Sequence, residues 1–137
     1  MSSTRRLIVD GNNVIGSRPD GWWRDRPGAA SRLIARIADR AVHGVPASAL
    51  GLPEHTWYPE WTAVVEGQAR GVDGATGVEV ARAEASGDDT IVASAQRAVA
   101  AGRVVTVVTS DRGLSERVRD AGAAVRGVRW LLDLLDA

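Results

Sequence analysis

The chain has 137 residues with 17 basic and 17 acidic side chains, and this length suits one domain spanning residues 1–137. Cysteine is absent, which excludes disulfides and thiolate metal sites. The zero net charge argues against a protein whose whole surface binds nucleic acid, though not against a local groove. No stretch has the length of a membrane span, and the N-terminus does not resemble a secretory signal, so we expect a cytoplasmic protein without membrane contact.

Strands and helices are predicted to alternate along the chain. The predicted strands cover residues 5–9, 61–66, 77–81, 104–109 and 123–125, and the predicted helices cover 29–42, 88–101, 111–121 and 130–135. A loop is expected over 16–28, and the proline-interrupted segment 45–60 allows only a short helix near 47–50. This alternation predicts an α/β fold with three layers, in which helices cover both faces of a mostly parallel sheet of about five strands in the order 3-2-1-4-5.

The first strand belongs to the stretch LIVDGNNV, in which an apolar run stops abruptly at Asp10. Gly11 and the two asparagines that follow favour turns and do not continue a strand easily. In open α/β sheets, ligands bind at the edge where the parallel strands end. The sequence therefore places the carboxylate of Asp10 at the edge where a ligand is expected.

Two later stretches bring more aspartates to the same edge. SGDDTIV opens a helix with Asp88 and Asp89, and VVTSDRGL ends the fourth strand just before Asp111. Each of these acids alone has a structural explanation, because aspartates are common at helix starts and in turns. Converging on one edge, they would repel each other unless a cation joined them. Carboxylates without histidine or cysteine nearby favour Mg²⁺ or Mn²⁺.

The three stretches together resemble the NYN branch of the PIN-domain-like nucleases, including its YacP-like members. DGNNV, the Gly-Asp-Asp-x-Ile helix start and VVTSDRGL occur in the order typical of that family and span residues 7–114. The resemblance implies a metal-dependent endoribonuclease in which Asp10, Asp88, Asp89 and Asp111 ligate Mg²⁺ or Mn²⁺. It also implies that Asn13 steadies the site by hydrogen bonding.

PIN relatives often carry a further acid between the first strand and the aspartate pair. Glu84 is the nearest candidate and Glu79 lies behind it, but neither fits cleanly, and both roles stay open. Hydrolysis of a phosphodiester by metal-activated water needs no nucleophilic side chain. Consistent with this, the two histidines, His43 and His55, lie outside the motifs.

Several residues near the predicted edge are candidate contacts for single-stranded RNA, which proteins bind through arginine on phosphates and through aromatic stacking. These candidates are Asn12, Arg18, Trp22, Arg24, Arg26, Ser110 and Arg112. Alternatively, a tryptophan of the loop caps the core, and the loop arginines pair with Asp20 and Asp25. The expected partners are RNA, a ribosome or similar complex that presents it, and a second copy of the chain.

Three other functions compete with the ribonuclease. A non-catalytic PIN-like module that binds RNA or protein would keep the fold without cleaving. A response-regulator-like domain is disfavoured because the chain has no lysine and only Asp10 at the first strand. A dinucleotide-binding fold is disfavoured because the glycines after the first strand do not follow GxGxxG.

Overall fold

A computed structural model of the chain describes residues 4–18, 21–52 and 55–136. The strands are β1 (Arg5–Asp10), β2 (Val45–Pro46), β3 (Thr56–Trp57), β4 (Glu60–Val65), β5 (Val78–Arg82), β6 (Val104–Val108) and β7 (Ala124–Arg126). The helices are α1 (Gly11–Gly16), α2 (Arg26–His43), α3 (Ala47–Leu50), α4 (Gly87–Ala100), α5 (Arg112–Asp120) and α6 (Val128–Asp136). Short 3₁₀ turns cover Trp22–Arg24 and Gly67–Gly71.

Five of the strands form one parallel sheet in the order β5-β4-β1-β6-β7. Numbered within this sheet alone, that order is the predicted 3-2-1-4-5. The central strand β1 is apolar on both faces because helices cover both sides. Leu7 and Val9 pack in the core beneath α2 and α6, whereas Ile8 packs beneath α4 and α5. The predicted three-layer α/β fold is confirmed.

The segment after β1 differs from the sequence prediction. The strand does stop at Asp10, but Gly11 begins the short helix α1 where a turn was predicted. A Cβ on Gly11 would lie 2.5 Å from the backbone oxygen of Val64, so only glycine lets the helix begin this close to β4. α1 then buries Val14 in the core.

Helix α2 begins three residues before the predicted start, at Arg26. The side chain of Asp25 accepts a hydrogen bond from the backbone N–H of Gly28, and Pro27 lies in the first turn. Both features stabilise a helix N-terminus. The helix ends, as predicted, before Gly44, whose φ of 80° suits a residue without a side chain.

In the segment 45–60 the short helix predicted near 47–50 is present as α3. The antiparallel pair of β2 and β3 was not predicted, because strands of two residues carry no readable periodicity. The indole N–H of Trp130 donates to the backbone oxygen of Ala49, and Trp61 is buried in the core. Among the described residues, every helix is too short or too polar to span a membrane.

Candidate active site

Asp10 is the last residue of β1, and its side chain lies almost fully buried between β4 and β6. Its Oδ2 accepts a hydrogen bond from the hydroxyl of Thr109 at 2.9 Å. Burial raises the pKa of Asp10, while the Thr109 hydroxyl and the backbone N–H of Asn13 partly oppose the rise. The nearby carboxylates of Asp88 and Glu66 raise this pKa further. The fold therefore holds a carboxylate where its negative charge is disfavoured.

A small hydrogen-bond network fixes Asp10 relative to the segment after β6. The Thr109 hydroxyl, which donates to Asp10, accepts from the backbone N–H of Asp111 at 3.1 Å. The side-chain oxygen of Asn13 accepts from the backbone N–H of Ser110 at 2.8 Å. These bonds join the carboxyl ends of the two neighbouring strands. Asn13 thus forms hydrogen bonds of the kind the resemblance implied, and its part in activity stays a prediction.

Asp88 lies in the first turn of α4, close enough for its charge to raise the pKa of Asp10. Burial raises the pKa of Asp88, and the carboxylates of Asp111 and Glu66 add to the increase. Asp111 is the N-cap of α5, where its Oδ1 accepts from the backbone N–H of Leu114 at 3.0 Å. The structural explanation of Asp111 as a cap is therefore correct, and the same carboxylate also acts on Asp88. Asp10, Asp88 and Asp111 meet at one edge.

Asp89 is oriented differently from its neighbour. Its carboxylate forms an ion pair with Arg117 of α5 at 2.8 Å, and its side chain is 82% exposed. The structure therefore pairs Asp89 with α5, while its carboxylate still adds to the rise in the pKa of Asp88. Its role as a metal ligand stays a prediction.

Glu66, which the sequence analysis did not single out, completes the acidic group. It follows the last residue of β4, and its carboxylate accepts a hydrogen bond from the backbone N–H of Gly87 at the start of α4. Its backbone N–H faces the side-chain oxygen of Asn12 at 3.4 Å. The signal was present in WTAVVE, since an apolar strand ends on an acid there just as LIVD ends on Asp10. The two candidates considered instead, Glu79 and Glu84, are exposed.

The donor set at this edge consists of carboxylate oxygens, which suits Mg²⁺ or Mn²⁺ better than zinc. Within residues 4–18, 21–52 and 55–136, no three acidic or histidine side chains already form a group that could hold a metal ion. The acids are therefore close enough to raise the pKa values of Asp10 and Asp88 but are not drawn together into a closed cage. The largest influences on the pKa of Asp10 are burial, two hydrogen bonds and two acids, and no basic side chain is among them.

The candidate RNA contacts in the loop after α1 stack on each other. Arg26 lies over the ring of Trp22 at 5.3 Å, and Arg24 lies over the ring of Trp23 at 5.9 Å. Trp22 and Trp23 meet edge to face. The alternative pairing of these arginines with Asp25 is not observed, because Asp25 caps α2, and Asp20 lies outside the described residues.

The remaining candidates occupy separate positions around the edge. Arg18 forms an ion pair with Asp136, and Arg112 is exposed at the start of α5. Asn12, Asn13, Ser17 and Ser110 line a small cleft beside α6, where the hydroxyl of Ser110 accepts from the backbone N–H of Val128. Polar side chains thus line a cleft between α1 and the start of α6.

The sheet order, the helices on both faces and the acids at the carboxyl edge define a PIN-like α/β fold. The solved structures that share this fold include two of Rae1 (YacP) from Bacillus subtilis, one of them a point mutant. The mutant matches with a TM-score of 0.73 and 22% identity over 97% of this chain and 76% of that chain. The other matches with a TM-score of 0.71 and 22% identity over 99% and 74%. The predicted resemblance to YacP-like proteins is therefore confirmed for the fold.

No protein-family model matches the chain, and no curated protein matches its sequence.

Proposed function

We propose that this chain is a metal-dependent ribonuclease that hydrolyses phosphodiester bonds of single-stranded RNA, acting in the cytoplasm. The observation that carries the proposal is the buried carboxylate of Asp10. Its pKa is raised by burial and by neighbouring acids, and no basic side chain is among the largest influences on it. Such uncompensated acids at a sheet edge are typical of functional sites. The PIN-like fold supports the same function by analogy alone.

In this proposal Asp10, Asp88, Asp111 and Glu66 hold Mg²⁺ or Mn²⁺ by moving closer together than the structure has them. Asp89 remains a predicted ligand that must first leave Arg117. When bound, the metal activates water and stabilises charge on the phosphate.

The chain's other residues orient these acids and hold the substrate. Thr109 and Asn13 fix the carboxylate of Asp10 and favour its ionised form. Asn12, Ser110 and Arg112 stand beside the edge as contacts for RNA, and the stacked tryptophans and arginines of the loop after α1 offer a surface for bases. A ribosome that presents the RNA, or a second copy of the chain, belongs to the same proposal.

A non-catalytic PIN-like module that binds RNA or protein is the second candidate. Two observations favour it: Asp89 and Asp111 both have structural partners, and no ready-made metal group exists in the described part of the chain.

Cleavage of labelled single-stranded RNA by the purified chain tests the two candidates. The reaction is run with Mn²⁺, with Mg²⁺ and with a chelator, for the wild type, Asp10→Asn and Asp111→Asn. Asp133→Asn serves as the control, because Asp133 is an exposed acid on α6 that pairs with Arg129. If the chain is a ribonuclease, the wild type and Asp133→Asn should cleave RNA in a metal-dependent way, and Asp10→Asn and Asp111→Asn should not. RNA binding without cleavage under all conditions would favour the non-catalytic module.

A further inference from the structure

A cavity of about 250 Å³ lies between α1, α2 and α6, beside the acidic group and separate from it. Its floor is apolar and includes Val14 and Leu33. Its rim carries three arginines, Arg18, Arg32 and Arg36. The cavity thus combines an apolar floor with several guanidinium groups at its rim.

One carboxylate already occupies this rim. Asp136, in the last turn of α6, accepts a hydrogen bond from Arg18 at 2.8 Å and another from Arg36. Hydrogen bonds from Arg36 and Arg18 hold the pKa of Asp136 below its usual range. The rim therefore binds an oxyanion with two guanidinium groups. Arg32 is exposed and forms no ion pair with any described residue, so the rim has more positive than negative charge.

The cavity is close to the edge where the proposed reaction takes place. Helix α1 begins immediately after Asp10, and its six residues span about 9 Å. Val14, in the cavity floor, is therefore only about one helical turn from Asp10. An extended RNA strand that passes the acidic group can reach the cavity without leaving this side of the molecule.

We propose that the cavity binds a backbone phosphate of the RNA strand that is cut at the acidic group, and that Asp136 takes the place of this phosphate when RNA is absent. The inference rests on the proposed function. Guanidinium groups match the geometry of phosphate oxygens and bind them in pairs. The apolar floor suits the sugar and base attached to each phosphate.

Displacement of Asp136 by a phosphate is energetically accessible. The Asp136 side chain is half exposed, and ion pairs of this kind contribute little to stability because water and salt screen them. A phosphate replaces the carboxylate on Arg18 and Arg36 and also engages Arg32. The phosphate therefore contacts one more arginine than the carboxylate of Asp136 does.

Binding of a labelled single-stranded RNA in a chelator, over a series of salt concentrations, tests the proposal without cleavage. Arg32→Gln is the informative variant, because it removes a charge without breaking an ion pair between described residues. Its binding should be about two- to fivefold weaker, and the slope of log affinity against log salt should fall by about one. Asp136→Asn should bind more tightly by a similar factor, since it removes the competing carboxylate.

Arg119→Gln is the matched control, since Arg119 is an exposed arginine in the last turn of α5, at the opposite edge of the sheet. Its binding should equal that of the wild type. Equal binding by Arg32→Gln and Arg119→Gln would overturn the proposal. Weaker binding by Asp136→Asn, or no RNA binding by the wild type, would also overturn it.

The outcomes for the cavity and for catalysis are distinguishable. If the wild type binds RNA through Arg32 but cleaves nothing with Mn²⁺, the cavity stands as a site for an RNA phosphate and the proposed ribonuclease fails. If the wild type cleaves and Arg32→Gln binds and cleaves equally well, the ribonuclease stands and the cavity proposal fails.

Discussion

The two glutamates at the ends of β4 have opposite surroundings. Glu60, at the amino end, accepts hydrogen bonds from Arg103 and Arg6, and these hold its pKa below the usual range. Glu66, just beyond the carboxyl end, lies instead among acids and raises the pKa of Asp10 and Asp88. The same residue type thus lies beside arginines at one end of this strand and among acids just beyond the other end.

This difference separates the acids that the fold pairs with arginine from the acids that it places beside other acids. An acid that the chain pairs with arginine, as it pairs Glu60, contributes to the folded state by itself. Acids whose charges oppose each other, as those of Asp10 and Asp88 do, reduce stability unless a cation joins them. The difference between the two edges is therefore the main physical support for the proposed metal site.

The largest effect is expected for Glu66→Gln. If Glu66 helps to hold the metal, the substitution should lower kcat/KM for RNA by about 10- to 100-fold. The measurement is the rate of RNA cleavage at saturating and limiting Mn²⁺. Glu60→Gln is the matched control, because it makes the same change at the other end of the strand, and it should leave the rate unchanged. Equal rates for the two variants would remove Glu66 from the site.

A smaller effect is expected for Thr109→Val. The substitution keeps the shape of the side chain but removes the hydroxyl that donates to Asp10. The pKa of Asp10 should then rise further, so protons compete with the metal up to a higher pH. Calorimetry of Mn²⁺ binding over a pH series should show weaker binding that recovers as the pH rises.

Thr106→Val, on β6 at the middle of the sheet, is the control for this substitution and should bind Mn²⁺ as the wild type does. A Thr109→Val protein whose pH dependence matches that of the wild type would show that the hydroxyl does not act on Asp10.

The smallest effect is expected for the stability of Glu60→Gln. Because the pKa of Glu60 is lowered in the folded state, its ion pairs stabilise the fold above the ordinary value of 4.5, and this contribution is lost as the pH falls through the lowered pKa. Glu60 is more than a third exposed, so the loss at neutral pH should be at most about 1 kcal/mol after screening. Urea unfolding at neutral and acid pH measures it, and a loss that persists in acid would contradict this explanation.

The fold was predictable because its long elements carry strong periodic patterns. The apolar run of β6 and the amphipathic pattern of α2 each indicate their own structure, and their alternation fixes the parallel order. The elements that were missed are short. β2 and β3 contain two residues each, and α1 begins at a glycine, a residue that usually indicates a turn. Their formation depends on contacts with distant residues, such as the approach of Gly11 to Val64.

The sequence predicted where the candidate site lies better than it predicted which residues form it. Asp10, Asp88 and Asp111 do meet there, because each follows a strand or opens a helix at that edge. Glu66 was overlooked, although its strand ends in the same way as β1. The ion pair of Asp89 with Arg117 joins residues that are 28 positions apart, and the packing of α4 against α5 that creates it is not visible in a local pattern.

Thermal unfolding of the wild type and Asp10→Asn, each with and without Mn²⁺ at neutral pH, tests whether the acids at this edge form a metal site. The folded-state pKa of Asp10 lies above the ordinary value of 3.8, so its ionised form destabilises the fold once the pH exceeds that raised pKa. Without metal, Asp10→Asn should therefore unfold at a higher temperature than the wild type. Asparagine retains an oxygen that can accept from Thr109.

Mn²⁺ should stabilise only the wild type, by about 2.7 kcal/mol at a concentration one hundred times the Kd. We therefore expect the variant to be the more stable protein without metal, and only the wild type to be stabilised by Mn²⁺. The opposite result would be a wild type that is the more stable of the two proteins and does not respond to Mn²⁺. It would contradict the proposal that these acids bind a cation.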